Sequence, residues 1–216
     1  MKTVLFDLDG TIIDSALGIT TCTQYALRAF GIEETDLSKL RCFIGPPLMD
    51  SFPRYYQFSE EQARAAVEKY RERYHTIGIY ECELYPDVEI VLQQLRAHGY
   101  QIALASSKPE VSCKRILEHF EIDKYFDEIV GATLDGKIDT KSQVLCEVFK
   151  RLQITDKKEI LLVGDTIFDA VGAREAGIAC LGVSYGFGAR KELLDNGAVA
   201  VCNSMKEVGD YVISQF

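Results

Sequence analysis

Short runs of apolar residues alternate along this chain with stretches whose apolar positions recur every three or four residues. The uninterrupted runs fall at 4–6, 102–105, 160–163 and 178–181, with a weaker one around Ile129 and Val130. Runs this short and this rich in branched residues predict strands buried on both faces. Between them, Val88, Val91, Leu92 and Leu95 keep the i, i+3, i+4, i+7 spacing of one helix face, and Gly99 follows as a stop. Cys113, Ile116, Leu117 and Phe120 repeat that spacing, with Pro109 suited to the first helical turn. Strands joined by crossover helices predict an α/β fold with a doubly wound parallel sheet.

Residues 16–82 break the rhythm. They hold helical patterns, including the stripe Ala63, Ala66, Val67, Tyr70 and Tyr74 and another around Ala26 and Phe30, but no buried strand. The expectation is a core made of 1–15 and 83–216 with a helical insertion at 16–82, entered just after the first strand.

That first strand ends in Asp7, Leu8, Asp9, Gly10 and Thr11. A buried strand has no use for two carboxylates at its end unless a cation compensates them. The other strand ends are polar as well. Residues 102–105 run into Ser106, Ser107, Lys108 and Pro109, and residues 160–163 run into Gly164, Asp165, Thr166 and, a turn later, Asp169. Asp139 and Thr140 read as a helix start with Lys141 in its first turn. In open parallel sheets, ligands bind beyond the carboxyl ends of the strands, which is where these residues fall.

Charge and cysteine content narrow the setting. The net charge of −9, with no basic stripe, argues against nucleic acid and anionic membrane surfaces as partners. Seven scattered cysteines without a CxxC pair read as reduced core thiols, Cys113, Cys146 and Cys180 among them. No apolar run reaches the roughly 20 residues of a membrane span and no signal segment is visible, so a cytoplasmic protein is expected. His75, His98 and His119 lie on helical stretches with no partner pattern.

The order and spacing of DLDGT, Ser106, Lys141 and the GDxxxD of Asp165 and Asp169 resemble the haloacid dehalogenase-like hydrolases, in their phosphoglycolate phosphatase-like branch. The resemblance runs the length of the chain. It implies a Rossmann-like core, a helical cap after the first strand and a phosphatase acting on a small phosphorylated metabolite as monomer or homodimer. Bringing acids within about 4 Å costs roughly 4 kcal/mol per pair at an effective dielectric near 20, so a counter-ion is required. An all-oxygen set suits Mg²⁺.

In the family pattern Asp7 is the nucleophile and Asp9 the acid and base, while Asp7, the backbone carbonyl of Asp9, and Asp165 bind the metal. Asp169, a turn later, orients metal-bound water or the lysine, with Thr166 in a supporting role beside it. Ser106 and Lys141 stabilise the phosphoryl group, Lys108 being the alternative lysine. Amides near Asp9 and Gly10, with Ser107 and Lys108, complete the phosphate site, and Gly45 and Pro46 in the 43–47 turn are the cap's substrate-facing candidates. Arg54, Arg71 and Arg73 could meet a substrate carboxylate, although a solvated helix face explains each. Phosphoglycolate is the substrate the family implies, ahead of nucleoside 5′-monophosphates. A phosphomutase is disfavoured by Leu48 and Met49 where mutases carry a cation, and a non-enzymatic binding module by the intact acidic set.

Overall fold

The structure is a computed structural model that describes residues 2–216. The strands are β1 (Thr3–Phe6), β2 (Ile13–Asp14), β3 (Glu83–Leu84), β4 (Gln101–Pro109), β5 (Glu128–Ala132), β6 (Ile160–Gly164), β7 (Ala179–Val183) and β8 (Ala200–Cys202). The helices are α1 (Ala16–Arg28), α2 (Leu48–Tyr56), α3 (Glu60–Tyr74), α4 (Val88–Ala97), α5 (Glu110–His119), α6 (Lys141–Arg151), α7 (Ile167–Ala176), α8 (Arg190–Asp195) and α9 (Met205–Gln215). By internal contacts the chain forms two units, Met1–Ile13 with Leu84–Phe216, and Asp14–Glu83.

The first unit is an α/β core. Its six-stranded sheet has the order β5-β4-β1-β6-β7-β8 and every pairing is parallel. The chain builds outward from β1 through β4 and β5, then crosses to β6 on the other side, so strand order reverses at β1. Both faces of the central strands are buried, which is why they read as unbroken apolar runs. Leu5, Ala103, Ala105 and Leu162 pack on one face with Val144, Leu145 and Val148 of α6 and Ala173 of α7. Val4, Phe6, Ile102, Leu104, Leu161 and Val163 alternate with them and are equally buried. Each large side chain so buried is worth about 1.5–3 kcal/mol relative to exposure.

Two sequence expectations need correcting here. Pro109 is the last residue of β4 and precedes α5 rather than entering its first turn, because its ψ of 131° is extended. Cys146 is exposed, not a core thiol, since the buried stripe of α6 runs through Val144, Leu145, Val148 and Phe149 and turns residue 146 outward. All seven cysteines are free thiols.

The second unit is helical. The stripe Ala63, Ala66, Val67, Tyr70 and Tyr74 of α3 is buried and packs against α1. The helix starts at Ser59, whose hydroxyl accepts from Gln62 N while Gln62 Oε1 accepts from Ser59 N, so two end amides are satisfied reciprocally. Phe43, Phe52 and Phe58 form an aromatic cluster with centroids 5.0 and 5.7 Å apart along the series. Arg73 is not on a solvated face: it makes a twofold ion pair with Glu81.

Candidate active site

Register brings the polar strand ends together. Phe6 lies level with Leu104 on one side and Val163 on the other, so β1 and β6 finish close together beside β4, which runs on through Ser106 to Pro109. The next residues of β1 and β6 supply Asp7 and, one further on, Asp165, and the Asp7 amide continues the ladder by donating to Val163 O at 2.9 Å. After Asp7 the chain turns sharply: the amides of Ile12 and Ile13 both donate to Leu8 O, and Gly10 N donates to Ile13 O at 2.8 Å. Gly10 has φ +84°, and a Cβ there would lie 2.0 Å from Asp165 Oδ2, so only glycine fits. Its amide is occupied by Ile13, which removes it from the phosphate cradle expected around Asp9 and Gly10.

Asp7, Asp165 and Asp169 converge, with one oxygen of each within 4.8 Å of the others. Lys141, the first residue of α6 and itself buried, reaches into the group. Its Nζ donates to Asp7 Oδ1 at 2.5 Å and to Ala105 O at 2.7 Å, and lies 2.9 Å from Asp169 Oδ1. Thr140 holds the helix start by accepting from Gln143 N, and the stem of Lys141 crosses Gly172 of α7 where a Cβ would lie 2.6 Å away. The other oxygen of Asp169 accepts from Thr166 N and Oγ1, at 3.0 and 2.9 Å. Asp169 therefore joins the carboxylate group directly as well as being braced by Thr166.

Electrostatics follow from one cation among three acids. Burial raises the Asp7 carboxyl to about 6; Lys141 opposes that shift and the charge of Asp169 adds to it. Asp165 is pushed well above the usual carboxylate range, by burial first and then by Asp169 and Asp7. Burial opposes the charge on Lys141, but Asp169 and Asp7 outweigh it and hold the ammonium protonated. Lys141 cannot neutralise three carboxylates, and Asp165 Oδ1 is buried with no hydrogen-bond partner among the described residues. An orphaned oxygen in an over-acidic, all-oxygen group fits a divalent hard cation.

Asp9 stands apart from that group. Its carboxylate is gripped by Lys108, whose Nζ lies 2.8 and 2.7 Å from Oδ1 and Oδ2, both side chains being mostly buried. The two candidate lysines thus divide the two aspartates of DLDGT, Lys141 taking Asp7 and Lys108 taking Asp9. Ser106 is buried at the end of the β4 run and its hydroxyl accepts from Lys108 N at 3.3 Å, while Ser107 is half-buried beside it. Thr11 is fully buried and its carbonyl accepts from Tyr185 Oη at 3.0 Å.

Gly45 and Pro46 lie in the helical unit, in the turn between a 3-10 stretch at Leu37–Phe43 and α2, with φ +101° at Gly45. In the same unit Arg71 pairs with Glu68 at 3.1 Å and Arg54 lies over the Tyr55 ring at 5.5 Å. Sequence reasoning missed the loop at 185–188, whose Phe187 amide donates to Asp165 Oδ2 at 2.7 Å. Its signal was a Gly-Phe-Gly following the β7 strand, a pattern that permits close backbone approach.

Comparisons with known proteins agree with this geometry. The family model described as haloacid dehalogenase-like hydrolase matches residues 4–183. A 5′-nucleotidase of Pseudomonas aeruginosa is 40% identical over 88% of this chain and 86% of its own length. A phosphoglycolate phosphatase of Vibrio parahaemolyticus is 27% identical over 98% of this chain and 96% of its own. A crystal structure described as a predicted phosphatase from Clostridium acetobutylicum superposes with a TM-score of 0.94, at 42% identity and 98% coverage of both chains. With four-fifths of its length matched by the family model, and with Asp7 of DLDGT converging on both acids of GDxxxD, the chain belongs to the haloacid dehalogenase-like hydrolases.

Proposed function

We propose that this protein is a Mg²⁺-dependent phosphatase that hydrolyses small phosphate monoesters through an aspartyl-phosphate formed on Asp7. The observation that carries the reading is the imbalance of one buried lysine against Asp7, Asp165 and Asp169, with an unpartnered oxygen on Asp165. The phosphatase and nucleotidase names of its relatives support the same reaction class. Asp7, Asp165 and Asp169 offer the carboxylate oxygens for the ion, and the family pattern adds the Asp9 carbonyl. Bound there, Mg²⁺ would offset the excess negative charge and polarise a phosphoryl oxygen.

The chain's own groups divide the rest of the work. Lys141 holds Asp7 Oδ1, which orients the carboxylate for in-line attack by its other oxygen on phosphorus. Ser106 Oγ and the Lys141 ammonium stabilise charge on the phosphoryl oxygens as the leaving oxygen departs. Asp9 takes a proton from solvent once Lys108 turns to the phosphoryl group, gives it to that leaving oxygen, and later takes a proton from the water that attacks the phosphoenzyme. Lys108 fixes the Asp9 carboxylate until an arriving phosphoryl group offers the ammonium another anion. The helical unit is the candidate for setting substrate choice, with Gly45 and Pro46 its candidate residues.

Among substrates, nucleoside 5′-monophosphates are favoured over phosphoglycolate. Identity to the named 5′-nucleotidase is 40%, against 27% and 32% to two named phosphoglycolate phosphatases, which favours the reverse of the order the family resemblance implied. Phosphate release from an aryl phosphate with and without Mg²⁺ tests the reaction class, and absence of turnover in both would refute it. kcat/KM across nucleoside monophosphates, phosphoglycolate and sugar phosphates tests the substrate, with the nucleotides expected highest.

A further inference from the structure

The loop at 185–188, between β7 and α8, has no place in the roles above, yet it is built around Asp165. Phe187 N–H donates to Asp165 Oδ2 at 2.7 Å. A Cβ at Gly186 would lie 2.4 Å from that oxygen and 2.3 Å from Gly10 O, so the loop backbone and the DLDGT turn enclose the carboxylate between them. The start of the loop is pinned by Tyr185, whose hydroxyl donates to Thr11 O at 3.0 Å and whose ring meets Tyr85 edge-on at 4.7 Å. One oxygen of Asp165 is therefore held by the loop backbone. The other, Oδ1, is buried and has no hydrogen-bond partner among the described residues.

We infer that this loop is the positioning element of the cation site: the Phe187 amide takes up Asp165 Oδ2, and the close passage of Gly186 locks the carboxylate plane so that Oδ1 is left to the divalent ion. The inference rests on the Mg²⁺ site proposed above. A carboxylate at a strand end would otherwise turn about its side-chain torsions, and ordering it would weigh against each binding event. Groups that orient a metal ligand act on affinity even though they never touch the metal.

The test is calorimetric titration of the metal-free protein with Mg²⁺, paired with urea unfolding of the same protein without metal. Gly186→Ala wedges the loop away from Asp165 and is expected to raise the Mg²⁺ Kd about 10–100-fold. Should that wedge also abolish cooperative unfolding, an exchange of the Phe187 amide for an ester, which replaces the donating N–H with an oxygen, carries the test. The ester protein is expected to unfold cooperatively and to bind Mg²⁺ about tenfold more weakly. Native Mg²⁺ affinity in the ester protein would overturn the inference, because a merely structural hydrogen bond would alter urea stability and leave Kd unmoved. Asp165→Asn separates the two readings. If it too binds Mg²⁺ with native affinity, the cation site itself is wrong; if it loses binding while the ester protein keeps it, only the role of the loop fails.

Discussion

Each unit of this protein contains a shielded ion-paired system, and the two differ in how their charges balance. In the helical unit Arg73 meets Glu81 one to one, through N–H···O bonds of 2.6 and 2.8 Å, and also donates to Cys22 Sγ. The hydrogen bonds to Glu81 raise the guanidinium further above its usual range. In the core unit Lys141 faces Asp7 and Asp169, with Asp165 beside them, and burial drives both Asp7 and Asp165 upward. A balanced pair is complete by itself and ties α3 to the segment that follows it. An over-acidic group is complete only when something positive arrives, and in a family of hydrolases that difference separates architecture from chemistry.

Substitutions that exchange these properties would break the contrast, and the largest effect belongs to Asp7, the proposed nucleophile. Asp7→Asn keeps the shape of the side chain but removes the attacking oxygen's charge, and kcat for phosphate release is expected to fall by about 10⁴–10⁶-fold. Lys141→Met comes next. It leaves buried carboxylates without their cation, so the metal-free protein should lose about 3–5 kcal/mol in urea unfolding. Loss of charge stabilisation on the phosphoryl group should also lower kcat by about 10²–10³-fold.

The helical pair should respond in the opposite sense. Arg73→Met should cost about 1–3 kcal/mol of stability, a range discounted because both side chains are partly exposed, while kcat falls less than about twofold. Pairing it with Glu81→Gln should restore part of the loss, since the orphaned charge is then gone. The smallest effect is a gain. Asp165→Asn removes one of three crowded acids and is expected to stabilise the metal-free protein by about 1–2 kcal/mol while abolishing its response to Mg²⁺. A loss of stability in that variant would mean the acids are not in conflict.

Much of the core was legible in the residues because its physics is local. Unbroken runs such as 160–163 announce strands buried on both faces, and their polar terminators, Asp7, Ser106 and Asp165, announce where a ligand can bind. Partnerships made by register across the sheet were not legible. Nothing adjacent to Lys108 says that it will hold Asp9, ninety-nine positions away, or that Gly186 will pass over Asp165. Asp169 was expected to orient metal-bound water or the lysine, and its Oδ1 does lie 2.9 Å from Lys141 Nζ; a helix position three residues inside α7 did not say that it would also come within 4.8 Å of Asp7 and Asp165. Cys146 misled because an apolar neighbourhood in sequence is not a buried face on a helix. The final strand, β8, has three residues, too few for its pattern to stand out.

The most direct measurement is the unfolding temperature of the metal-free protein as Mg²⁺ is added, compared with Asp165→Asn. Saturation to 100 times Kd stabilises a binding-competent fold by about 2.7 kcal/mol. For a chain of this size that is about 5–10 °C, expected in the native protein and absent from the variant. A native protein whose transition does not move with Mg²⁺, or a variant that shifts as far as the native chain, would contradict a cation seated among Asp7, Asp165 and Asp169.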